Sequence, residues 1–164
     1  MSYQPLIDGF EFATAGATQQ GVSPLESFPR LRDMLASDAG EIAWKVQGVR
    51  DERGRPSLRV SVIGRVWLRC QRCLEPLPFE VQTDAILVLA ATQAEIEADP
   101  VDVQAPDRLL ASKEMPVRDL VEDELVLALP YAPRHDSCAA RQATGAEGKF
   151  SPFAGLRGLM NSKH

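Results

Sequence analysis

Between Leu58 and Cys70 hydrophobic and polar positions alternate without a break. Leu58, Val60, Val62, Gly64, Val66, Leu68 and Cys70 fall on one face, and Arg59, Ser61, Ile63, Arg65, Trp67 and Arg69 on the other. Successive side chains of a strand point to opposite sides, so the run predicts a half-buried antiparallel strand. Ile42, Trp44 and Val46 alternate with more polar neighbours and predict a strand before it. The intervening Asp51-Glu52-Arg53-Gly54-Arg55-Pro56 has the composition of a hairpin turn. A third strand is predicted from about Phe79 to Leu89.

Elsewhere the period lengthens. Val117, Leu120, Val121, Leu125 and Ala128 make one helical stripe, opened by Pro116 and ended by Pro130 and Pro133. Glu122, Asp123 and Glu124 occupy consecutive positions and fan around the axis instead of converging. They read as a solvated face that suits the helix dipole, one of them pairing with Arg72 or Arg134. Ser23-Pro24 followed by Leu25, Phe28, Leu31, Arg32 and Leu35 predicts a second helix up to about Ala36. Pro29 lies inside it and must kink it or divide it in two.

Residues 9–22 show no sustained period, and residues 92–114 read as an acidic, poorly ordered loop. The expected fold class is α+β, a mostly antiparallel sheet over residues 41–89 with a few helices. The expected organisation is an irregular lead-in over 1–22, a single α+β domain over 23–138, and a flexible tail over 139–164 carrying a short apolar motif. That motif, Phe150, Phe153 and Leu156, either docks back on the domain or binds a partner.

Composition narrows the class. A chain of 164 residues with 45% hydrophobic content can bury a real core. No apolar run approaches a membrane span, and Met1-Ser2-Tyr3-Gln4-Pro5 lacks the features of a signal peptide. With only three cysteines, two of them in C-x-x-C, the expected compartment is the reducing cytoplasm. The net charge of −5 argues against nucleic-acid binding by the whole surface. Residues 40–80 nevertheless carry eight basic against five acidic side chains, and residues 81–130 three against eleven. The basic block surrounds the C-x-x-C; the polarity means either two kinds of partner or two solvated faces.

All three cysteines and one of the two histidines fall into two short clusters, Cys70-Gln71-Arg72-Cys73 and His135-Asp136-Ser137-Cys138. A C-x-x-C turn lets two thiolates reach one ion, and an H-x-x-C turn can complete a closed tetrahedral zinc site. Four protein ligands leave no open position for water, so such a zinc would be structural. Two alternatives stand beside it: three buried inert cysteines, or a redox C-x-x-C, which usually wants the first cysteine at a helix N-terminus. On the outward face of the long strand, Arg59, Arg65, Trp67 and Arg69, with Arg72 in the turn, form a basic row with an aromatic. Arginine pairs with phosphate and tryptophan can stack on an unpaired base, which makes the row a candidate RNA surface. The alternative is a face covered by a helix, with Trp67 in the core and the arginines paired to the acidic block.

Four segments in order resemble the YceD family of large ribosomal RNA subunit accumulation proteins. They are Cys70-Gln71-Arg72-Cys73-Leu74-Glu75-Pro76 after a Val/Leu-rich strand, and Val121-Glu122-Asp123-Glu124-Leu125-Val126-Leu127-Ala128-Leu129-Pro130. Pro133-Arg134-His135-Asp136-Ser137-Cys138 and Ser151-Pro152-Phe153-Ala154-Gly155-Leu156 follow. The resemblance implies a role in synthesis, processing or stability of large-subunit (23S) ribosomal RNA, with no catalytic residues to carry over. The expected partners are that RNA or its precursor, ribosomal proteins, or RNA-processing factors, with no membrane and no small-molecule substrate. A zinc-stabilised protein-binding adaptor and an RNA-processing enzyme are the other two readings.

Overall fold

A computed structural model of the chain describes residues 5–98 and 105–139. In chain order it opens with β1 (Leu6–Ile7), α1 (Gly9–Thr14) and β2 (Thr18–Pro24). Two 3-10 turns, Leu25–Ser27 and Pro29–Leu31, lead to β3 (Leu35–Ser37), β4 (Glu41–Arg50), β5 (Pro56–Arg69) and β6 (Pro76–Ala90). Then come α2 (Gln93–Ala98), β7 (Arg108–Leu110), β8 (Met115–Pro116) and α3 (Val117–Ala128).

The hairpin of β5 and β6 is the spine, paired antiparallel from Ser57↔Val88 to Arg69↔Pro76. The alternation along β5 reappears as burial. Leu58, Val60, Val62, Val66, Leu68 and Cys70 are buried, and Arg59, Ile63, Arg65, Trp67 and Arg69 face outward. The sheet order is β2-β4-β5-β6-β7, with β3 also paired to β5; only β7, parallel to β6, departs from the antiparallel pattern. Between β4 and β5 the Asp51 carboxylate accepts the backbone N–H groups of Arg53 and Arg55 and the Arg55 guanidinium. The fold is α+β and mostly antiparallel, as expected.

α3 closes the inner face of the sheet. Val117, Leu120, Val121 and Leu125 are buried in one cluster with Val60, Val62, Val66 and Leu68. Full burial of each such side chain contributes about 1.5–3 kcal/mol. The helix ends before Pro130, which has no N–H to continue it.

Three expectations are corrected. Residues 9–22, expected to be irregular, form α1 and β2. β2 is an edge strand of mostly polar residues, so its state is set by pairing with β4 from Thr18↔Gln47 to Pro24↔Glu41. α1 is capped by Asp8, which accepts the Glu11 N–H, and rests on Gly48, where a Cβ would meet the Phe12 carbonyl and lie 2.8 Å from the Ala13 Cα. The helix expected over residues 23–36 is two 3-10 turns and a strand. Leu25, Phe28 and Leu31 are all buried, and a three-residue spacing satisfies a 3-10 period as well as a helical one. Within 92–114, the expected loop contains α2 and β7, whose partner strand β6 is supplied from a distance.

Candidate metal centre and basic face

β5 ends at Arg69, and Cys70 to Glu75 turn the chain into β6. The Leu74 N–H donates to the Cys70 carbonyl at 2.9 Å and the Cys70 N–H to the Glu75 carbonyl at 3.0 Å. Leu74 takes a φ of +66°, where a Cβ crowds the backbone and costs about 1–2 kcal/mol. The second segment leaves α3 at Pro130 without regular structure. Its Pro133 carbonyl accepts the Gln71 N–H at 2.8 Å, which lays it against the turn and brings His135 and Cys138 to the first two cysteines.

The four ligand atoms, one each from Cys70, Cys73, His135 and Cys138, all lie within 4.8 Å of one another. The Cys70 and Cys138 sulfurs are 3.8 Å apart, and Cys73 Sγ is 3.4 Å from His135 Nδ1. A tetrahedral ion at about 2.3 Å from sulfur and 2.0–2.1 Å from nitrogen sets edges of about 3.8 and 3.6 Å. The two distances therefore fit a tetrahedral centre. His135 Nε2 lies 3.1 Å from the Pro76 carbonyl, which can only accept, so Nε2 carries the proton and Nδ1 presents its lone pair.

The sulfurs differ in character. Burial pushes the Cys70 thiol up. Backbone N–H groups of Cys73, Arg72 and His135 directed at its sulfur, with a hydrogen bond from Cys73, outweigh burial and bring it down to about 5. Burial pushes the Cys138 thiol up, and its hydrogen bonds with Cys70 and Cys73 and their charge push it further. A site that stabilises a thiolate at one member and crowds charge at another is suited to a cation that neutralises both. The residues fit a metal ion.

Among the described residues no helix covers the outward face of β5. Trp67 is 38% exposed and Ile63 58%, and Arg59, Arg65, Arg69 and Arg72 are all exposed. The acidic partners come from β6: Arg59 lies 3.5 Å from Asp84, and Arg65 pairs with Glu80. Phe150, Phe153 and Leu156 lie outside the described residues.

The acidic helix residues behave differently from expectation. Glu122 is 2% exposed, and its carboxylate accepts the backbone N–H of Arg30 at 2.7 Å and the guanidinium Nε at 2.9 Å. Asp123 takes Nη1 of the same guanidinium at 2.6 Å. The partner is Arg30, not Arg72 or Arg134, and the helix face is not solvated at Glu122 or Glu124. Glu124 is 6% exposed; burial first, then the charges of Asp107 and Asp123, hold its carboxyl above the usual range. No local signal marks these roles, because the 3-10 turn bearing Arg30 is remote in sequence from α3.

The fold and the four-residue cluster define a small sheet protein with a candidate metal site. Residues 58–160, more than half of the chain, match YceD, described as the large ribosomal RNA subunit accumulation protein, and the chain belongs to that family. No solved structure matches the chain. The family has a role in accumulation of the RNA of the large ribosomal subunit. Among the described residues no helix is long and apolar enough to cross a membrane.

Proposed function

We propose that this chain is a zinc-stabilised, non-enzymatic cytoplasmic factor in ribosome biogenesis that supports 23S RNA by contacting it directly. Zinc is supported by the donor set, three thiolates and one imidazole, which suits that ion, and by edge distances matching its bond lengths. The ion is structural: four protein ligands fill its coordination, and it ties the end of α3 to the β5–β6 turn. The observation that supports RNA contact is the exposed row of Arg59, Arg65, Trp67, Arg69 and Arg72 beside that turn in a chain of this family. Guanidinium groups recognise phosphate, and an exposed indole offers a stacking surface. In residues 139–164, Phe150, Phe153 and Leu156 supply an apolar docking motif for a ribosomal protein or processing factor.

Deleting the protein should lower mature 23S RNA relative to small-subunit RNA, and the full chain should restore the ratio. A chain ending at residue 148 should fold and bind zinc yet fail to restore it. Normal subunit RNA ratios in the deletion strain would remove the ribosomal reading. Rescue without any RNA crosslinked to the protein would favour a protein-binding adaptor.

A further inference from the structure

We infer that the metal turn gathers three arginines, Arg69, Arg72 and Arg134, into a phosphate-binding site for single-stranded RNA, and that this site is the principal hold of the basic face on the RNA backbone. The inference rests on the proposed RNA contact and assigns it a location. Each of the three immediately precedes a ligand: Arg69 before Cys70, Arg72 before Cys73, Arg134 before His135. Arg72 and Arg134 come from segments more than sixty positions apart. They nevertheless leave one junction, because Gln71 donates its N–H to the Pro133 carbonyl and each arginine follows one of those two residues. His135 adds the bond to the Pro76 carbonyl at the opposite end of the turn.

The arginines of the face differ in what already occupies them. Arg59 and Arg65 are paired with Asp84 and Glu80 across the β5–β6 ladder. Arg69, Arg72 and Arg134 are exposed, and none of them forms an ion pair among the described residues. A phosphate bound by Arg59 or Arg65 must displace a carboxylate, whereas one bound at the turn displaces only water. The exposed Glu75 and Asp136, and the single excess negative charge of three thiolates around a divalent ion, offset the three guanidinium charges. The site therefore recognises phosphate by close guanidinium forks and not by a long-range field. Trp67 stands two positions before Arg69 on the same face and is exposed, so a base can stack beside a phosphate held at the turn. A duplex hides its bases from such a ring, so unpaired RNA is the fitting ligand. Arg134 lies in a segment without helix or strand, so its position depends on the ligands that follow it.

The test is binding of the full chain, loaded with one zinc per chain, to an unstructured RNA oligonucleotide and to a matched RNA duplex across a salt series. Three phosphate contacts on a single strand give a log–log salt slope of about −2. Replacing Arg69, Arg72 and Arg134 together with Ala should weaken single-strand binding at least about tenfold and flatten the slope, with zinc content and melting unchanged. Arg134→Ala alone should weaken binding severalfold, and this single exposed change guards against a folding artefact. Chelating the zinc should match the loss in Arg134→Ala or exceed it. Replacing Arg59 and Arg65 together should weaken binding less than the triple variant does, since both are already paired with carboxylates.

Parental affinity in the triple variant, or a larger loss in the Arg59 and Arg65 variant, overturns the assignment while leaving RNA contact standing. Equal affinity for the duplex overturns the single-strand preference. Displacement by an acidic peptide that binds more tightly than RNA makes the partner a protein and overturns the proposal. Absence of any RNA binding by the parent removes direct contact altogether, and the cellular RNA ratio then judges the family role separately.

Discussion

Two of the ties between distant described segments are of opposite kinds. At one, Arg30 on a 3-10 turn is held by Glu122 and Asp123 of α3; at the other, Cys70 and Cys73 face His135 and Cys138. Both join segments more than sixty residues apart. The ion-pair tie draws its strength from where it sits. Glu122 is buried, so its carboxylate depends on the Arg30 N–H and guanidinium for the hydrogen bonds that water would otherwise supply. The four-residue tie draws on donor chemistry, since three thiols and an imidazole at short spacing suit a tetrahedral ion wherever the turn lies. A motif of ligands therefore announces itself, whereas a buried carboxylate is defined only by what covers it.

The sharpest way to separate the ties is to remove the proposed metal. Structural zinc contributes about 10–16 kcal/mol of apparent binding energy in small finger peptides, so chelation or Cys73→Ser should produce the largest fall in melting temperature. Hydrogen exchange locates the effect. The Gln71 amide, which donates to Pro133, should lose protection while the amides of β4 and the middle of β5 keep theirs. If Gln71 stays protected without metal, the ion does not hold the second segment.

Next in size is the other tie. Glu122→Ala should cost about 3 kcal/mol in urea unfolding, because it leaves the Arg30 N–H without its acceptor, breaks the bond to Nε and opens a cavity at a buried position, while Asp123 still holds Nη1. Glu122→Gln keeps the shape and one acceptor and should cost about 1–2 kcal/mol. Zinc content should be unchanged in both variants; a loss of metal would mean that the two ties are not independent.

A buried carboxylate without such partners should behave oppositely. Glu124 has its proton affinity raised by burial and by Asp107 and Asp123, so the folded chain holds that proton to higher pH than the unfolded chain. Its favourable contribution is complete below the unfolded value of about 4.3 and is lost as pH rises through the folded one. Glu124→Gln should therefore melt higher than the parent at pH 8, and the two should converge near pH 4. A variant less stable than the parent at pH 8 would contradict this.

The smallest effect is expected at the turn itself. Leu74→Gly removes the crowding at φ +66° but adds freedom to the unfolded chain. The net gain should be no more than about 1 kcal/mol with metal affinity retained. Equilibrium unfolding in the presence of zinc measures it, and a clear loss would show that the Leu74 side chain is needed by the turn.

The sequence by itself determined what short-range periodicity and ligand spacing can carry. Alternation from Leu58 to Cys70 assigned both faces of the central strand, since a one-residue slip would expose every valine. The stripe from Val117 to Ala128, stopped by Pro130, determined α3, and the four ligands with their flanking motifs determined the knuckle and the family. Tertiary structure decided the rest. Thr18–Pro24 is a strand only because β4 lies beside it, and Leu25, Phe28 and Leu31 meet the core through 3-10 turns because their spacing is shared by two helical periods. Glu122 carries the same charge as any surface glutamate. Only the approach of a turn 92 residues away buries it and fixes its partner, because desolvation is a property of the packed surroundings and not of the residue.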